Sequence, residues 1–159
     1  MAEIILKPIG IIRSPNTDPS KTPIQPIYAE GIKGYAEIYP EFEEGLKDIE
    51  GFSHIFLIFY FHKTSQEKLK VIPYLESVER GVFATRSPSH PNKIGISLVE
   101  LLKIEGSVLH LNRVDILDGT HLLDIKPYIS RFDKVENSRN GWQDKIDEEK
   151  AKTLGSRKK

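Results

Sequence analysis

The run SHIFLIFYFH at 53–62 is apolar at almost every position and rich in aromatic and β-branched residues. It predicts a strand buried on both faces. Shorter patterns surround it. EIILKPIGIIR at 3–13 predicts an extended first strand, with Pro8 marking an edge or a bulge. Residues 14–31 hold Pro15, Pro19, Pro23 and Pro26 and predict a loop. GYAEIYP at 34–40 alternates and predicts a short strand. EFEEGLKDIEGF predicts a turn with a short helical piece, and the mixed polar residues 64–80 a partly helical connection. GVFAT at 81–85 and IGISLVELLKI at 94–104 predict strands on either side of a polar loop. KIEGSVLHLNRV predicts a hairpin turning at Glu105-Gly106. VDILDGTHLLDIKPY at 114–128 predicts two short strands broken at the turn dipeptide Asp118-Gly119. GWQDKIDEEKAK predicts a C-terminal helix, and the final SRKK a frayed end. Strands at short spacing with few helical patterns predict a mainly β, single-domain β-barrel with peripheral helices. The barrel is expected over 1–140, and the C-terminal helix and tail over 141–159.

Composition narrows the function. The chain has 159 residues, about one domain, and 23 basic residues balance 23 acidic ones. No global field draws in nucleic acid or an anionic membrane, so any RNA contact needs a local patch. With no cysteine there are no disulfides, thiolate metal sites or cysteine nucleophiles, which fits a reducing cytoplasm. No apolar run approaches the roughly 18 residues of a membrane span, and the N-terminus lacks a signal-like apolar stretch. The expectation is a cytoplasmic protein without a membrane partner.

The common catalytic fingerprints are missing: there is no G-x-G-x-x-G after a strand, P-loop, H-E-x-x-H or nucleophile elbow. GIKG at 31–34 matches a KH loop only in its four letters, and a plain turn is the better reading. His54 and His62, eight positions apart on one strand, would stand about 26 Å apart and cannot share a metal ion. No metal site is expected. In LLDIKPY a regular strand puts Leu122, Asp124, Lys126 and Tyr128 on one side, either a solvated face or a pocket wall. Arg86 ends an apolar run. Ser87 and His90 each precede proline, which stiffens the loop. Arg86, Ser89, His90 and Asn92 held near one place would suit a carboxylate or a phosphate.

GVFATRSPSHPNKIGISLVELL, taken with DILDGTHLLDIKPY, resembles the tRNA methyltransferase O family (TsaA-like, YaeB-like), in its archaeal-type form. IGIIRSP at 9–15, IQP at 24–26 and GFSHIFLIFYFHK at 51–63 resemble its other blocks in the same order, so the likeness runs from about residue 7 to 143. It implies an S-adenosylmethionine-dependent tRNA methyltransferase, a homodimer whose barrel is unlike the Rossmann methyltransferases. The reaction implied is N6-methylation of threonylcarbamoyladenosine beside the anticodon. The cofactor site it implies comprises Ile24, Gln25, Pro26, His62, Lys63, Arg86, Ile96, Leu117, Asp118, Gly119 and Thr120. Asp118, Asp124 and Tyr128 are the candidate catalytic residues, with a carboxylate as a modest base. The family pattern has arginine at His90, proline at His121 and arginine at Ile24, and these departures bear on the RNA contact. Basic candidates for that contact are Arg13, Lys93, Lys126, Arg131 and Arg139, and the run at 53–62 is expected to put Phe59 or Phe61 at a twofold interface. Two other readings remain: a methyltransferase on the same scaffold with another substrate, and a non-catalytic RNA-binding barrel.

Overall fold

The computed structural model describes residues 1–157. Its strands are β1 (Gly10–Arg13), β2 (Lys33–Ile38), β3 (His54–Tyr60), β4 (Lys70–Val71), β5 (Arg80–Gly81), β6 (Ile94–Glu105), β7 (Val108–Asn112) and β8 (Thr120–Pro127). Two α-helices follow, α1 (Ser130–Asp133) and α2 (Glu148–Ser156), with short 3-10 turns between strands and one, Gly141–Lys145, between the helices, so GWQDKIDEEKAK is α-helical only in its second part. Six strands close into a barrel in the order β1-β2-β7-β6-β3-β8, every neighbour antiparallel. The β4–β5 ribbon stands apart.

Period-two alternation fills the barrel. Ile12, Ala36, Ile38, Ile55, Leu57, Phe59, Val99, Leu101, Leu109, Leu111 and Leu122 point inward and are buried. Truncating one of the larger of these to alanine costs about 2–5 kcal/mol. The β6–β7 hairpin turns at Gly106, whose φ of 60° suits glycine.

Several expectations give way. The first strand is four residues long and begins after Pro8, which has no N–H to donate. GVFAT is not a barrel strand. Val82–Ala84 is a 3-10 turn, with Val82 buried and Phe83 exposed. Residues 114–119 are an irregular segment, so only the second half of VDILDGTHLLDIKPY is strand. β3 is buried on one face, with Phe56 and Ile58 half-buried and Tyr60 exposed on the other. Phe59 therefore packs inside the barrel and cannot sit at an interface, while Phe61 is half-buried against the core.

The single-face reading of LLDIKPY also fails. Ile58 pairs with Asp124 but Phe59 pairs with Leu122, so Leu123 is an extra residue, a β-bulge. Leu122 points inward, whereas Asp124 and Lys126 share the outer face with Ile58 and Phe56. Of the terminal SRKK, Ser156 ends α2 and Arg157 follows it, while residues 158–159 lie outside the described residues.

Candidate functional site

One end of the barrel gathers the loops that follow β1, precede β6, and join β7 to β8. The 117–120 turn is tied down there from the end of β1. Asn16 and Ile12 carbonyls accept the N–H groups of Asp118 and Gly119 at 2.8 and 2.9 Å. The Asn16 amide donates to the carbonyls of Val114 and Ile116. Gly119 takes a φ of 77°, which a side chain would oppose. The Asp118 carboxylate accepts from Ser14 N–H at 3.2 Å and faces the Arg13 guanidinium at 3.8 Å. Thr120 Oγ1 lies 3.2 Å from His62 Nδ1, so the end of β3 meets the start of β8.

The second wall is the loop after Val82. Thr85 Oγ1 donates to Val82 O and accepts from Ser87 N–H, and Ser87 Oγ accepts from Ser89 N–H. His90 Nε2 donates to Thr85 O at 3.0 Å, and its ring stands edge-on to Phe83 at 5.7 Å. The His90 proton is thus spent on the loop itself. Arg86 leaves this wall and donates from Nη1 to Gln25 Oε1 at 3.0 Å, a bridge between segments 61 residues apart.

The C-terminal segment supports the second wall and the segment that carries Gln25. Trp142 Nε1 donates to Ala84 O at 2.8 Å, beside Arg86. Gly155 O accepts from Ile24 N–H at 2.9 Å, beside Gln25, and Gly155 packs against the Tyr28 ring.

Between the walls lies a residue that the sequence reading passed over. Ser97 Oγ, on the inner face of β6, donates to Asp115 Oδ1 at 2.6 Å. The residue keeps some solvent contact, yet its carboxyl is enclosed by protein. Burial pushes its pKa up to about 7, against the pull of Ser97, its own backbone N–H and the Arg86 charge. The signal available was a lone carboxylate between Val114 and Ile116, both of them buried.

The structure gathers Gln25, Arg86, His62, Thr120 and the 117–119 turn at one barrel end. Pro26 is buried in a 3-10 turn beside Gln25, and Ile96 faces outward from β6, partly exposed. Asp124 lies further along β8 and Tyr128 just past its end. Asp124 pairs with Lys126 at 3.0 Å, and Tyr128 packs on His54 and Phe56. A hollow of about 570 Å³ beside the turn is lined by Arg13, Lys33, Tyr35, His110 and Asp118 and shares only Asp118 with the cluster. Chemically the cluster offers a cation, two carboxylates and an imidazole. Burial, then Lys63 and His121, hold the His62 pKa below its ordinary value. Among the described residues no group of three or more His, Asp or Glu is placed to hold a metal ion, and no helix is long and apolar enough to cross a membrane.

Residues 11–134 match the model of the tRNA-methyltransferase O N-terminal domain. The chain belongs to the tRNA-methyltransferase O family. It is 54% identical over 142 residues to a probable S-adenosyl-L-methionine-binding protein of Pyrococcus abyssi, covering 89% of this chain and 77% of that one. It is 38% identical to the mouse tRNA (adenine(37)-N6)-methyltransferase, over 84% of this chain and 33% of that protein. A crystal structure of TrmO from Pseudomonas aeruginosa superposes with a TM-score of 0.76 at 39% identity, covering 91% of this chain and 63% of the other. The chain thus spans less than two thirds of that TrmO. The stretch matched to the TrmO family contains all the clustered residues and ends before Trp142 and Gly155, which prop the second wall and the Gln25 segment.

Proposed function

We propose that this chain is an S-adenosylmethionine-dependent methyltransferase acting on N6 of threonylcarbamoyladenosine beside the anticodon of tRNA. The observation that carries the reading is the Arg86–Gln25 bridge, which joins two of the family's motif blocks at the barrel end holding the 117–120 turn. The donor set fits the cofactor. Arg86 suits a carboxylate, Asp118 suits an ammonium or ribose hydroxyls, and the exposed aliphatic side chains of Ile94 and Ile96 suit an adenine face. When bound, S-adenosylmethionine supplies an electrophilic methyl group on a sulfonium. The chain's part is alignment and exclusion of water, which supply most of the acceleration in an in-line displacement. The clamped Arg86 loop and turn are built for that.

The chemistry of the base supports the substrate. An N6–H attached to a carbamoyl group is more acidic than that of a simple amine, so a modest base suffices. The threonyl carboxylate gives a cation something to hold. Of the five basic candidates for RNA, Lys93, Arg131 and Arg139 carry no ion pair among the described residues, whereas Arg13 and Lys126 already face carboxylates. The protein works in the cytoplasm as a homodimer, with the outer face of β3 and β6 as its contact. The nucleoside profile of a deletion strain tests the assignment, and loss of the N6-methylated threonylcarbamoyladenosine is expected. With purified enzyme, equal methylation of tRNA with and without the threonylcarbamoyl group rules out the substrate and leaves the cofactor standing.

A further inference from the structure

One proton decides what His62 can do. Thr120 Oγ1 lies 2.7 Å from Leu117 O and 3.2 Å from His62 Nδ1. A hydroxyl has one proton and a carbonyl oxygen has none. Thr120 therefore donates to Leu117, and its lone pair accepts N–H from His62 Nδ1. In the neutral imidazole this leaves Nε2 without a proton. Among the described residues no hydrogen bond reaches Nε2, and it is not among their enclosed unpartnered atoms, so its lone pair keeps access to solvent. The charged and titratable groups that face the ring are Lys63 on its own segment and His121 on β8. With burial, both favour the neutral form. No carboxylate among the described residues pairs with it.

The other bases are less suitable. Asp118 is committed to Ser14 N–H and Arg13, and Asp124 to Ile125 N–H and Lys126. Asp115 is enclosed and held by Ser97. We propose that His62 is the catalytic proton acceptor, its Nε2 taking the N–H proton of the nitrogen that becomes methylated. The assignment rests on the methyltransferase reading above. As the nitrogen bonds to the methyl carbon, its proton passes to Nε2, and the electron pair of the carbon–sulfur bond stays on sulfur. His62 then carries the charge that the sulfonium has lost.

The test combines spectroscopy with kinetics. Nitrogen-15 NMR of the cofactor-free protein should show His62 as the Nδ1–H tautomer at pH 7.5, protonating only below the ordinary imidazole range. His62→Asn keeps an N–H donor near the position of Nδ1 but removes the base. With threonylcarbamoylated tRNA its kcat should fall roughly 10²–10⁴-fold and lose the acid limb of the pH profile. The loss of kcat should far exceed any loss of S-adenosylmethionine affinity, because His62, itself among the residues of the implied cofactor site, serves the proton transfer as well. An Nε2–H tautomer, an undiminished kcat, or cofactor affinity falling in step with activity would each overturn the assignment while leaving the methyltransferase intact. Wild-type protein that binds no S-adenosylmethionine removes the methyltransferase reading, and His62's role with it.

Discussion

Arg86 and Asp115 show how single side chains set the chemistry of the barrel end. Arg86 is exposed and held by one bond to Gln25, so its fork stays available to an anion. Arg86→Ala should weaken S-adenosylmethionine binding by about 1.5–3 kcal/mol, the worth of a charge-assisted hydrogen bond, as read by calorimetry. Asp115 acts on stability. Its folded pKa of about 7 lies above the unfolded value near 3.9, so the fold prefers the protonated form. That contribution is complete below pH of about 4 and is lost as pH rises through about 7. Asp115→Asn keeps an acceptor for Ser97 and removes the charge. Its stability relative to wild type should improve between pH 5 and pH 8, by an amount on the order of a few kcal/mol. Equal stability differences at both pH values in denaturant melts would contradict this.

At the level of elements, α2 is more than a tail. Asp147 caps it by accepting from Lys150 N–H at 2.9 Å, and Glu148 and Glu149 occupy its first turn, all favourable at a helix N-terminus. Its far end packs glycine on an aromatic ring. A Cβ at Gly155 would lie within 3 Å of three Tyr28 ring atoms, too close to stand unless the ring moves. Gly155→Val should therefore undock α2 from the Ile24–Tyr28 loop and cost about 1–3 kcal/mol in thermal unfolding. Cofactor affinity should fall as well, because Gln25 loses its support. An unchanged melting temperature would show that α2 docks in some other way.

On the scale of the molecule, the barrel has an apolar core and an apolar strip on its outside. Cross-strand pairs Phe56–Leu98, Ile58–Ile96 and Tyr60–Ile94 face outward from β3 and β6 as one continuous strip. A strip of that kind marks an interaction surface. Sedimentation at micromolar concentration should find a dimer, and Ile58→Lys should convert it to a folded monomer. A wild-type monomer would leave the strip unexplained by self-association. The strip includes Ile96, so the proposed contact borders the proposed cofactor cleft.

The barrel class and the turns at Gly106 and Gly119 were legible because they depend on local features, alternation and turn dipeptides, whereas the grouping of the motif blocks rested on the family resemblance and on no pattern within the blocks. The facing of β8 was not. A bulge is a mismatch of register against β3, and nothing within LLDIKPY records its partner. GVFAT reads as a strand because Val82-Phe83-Ala84 is an apolar run, yet it has no barrel neighbour to pair with. The enclosure of Asp115 and the tautomer of His62 depend on Ser97 and Thr120, 18 and 58 residues away in the chain. Desolvation and proton placement are properties of a surrounding, and that surrounding exists only once the barrel has closed.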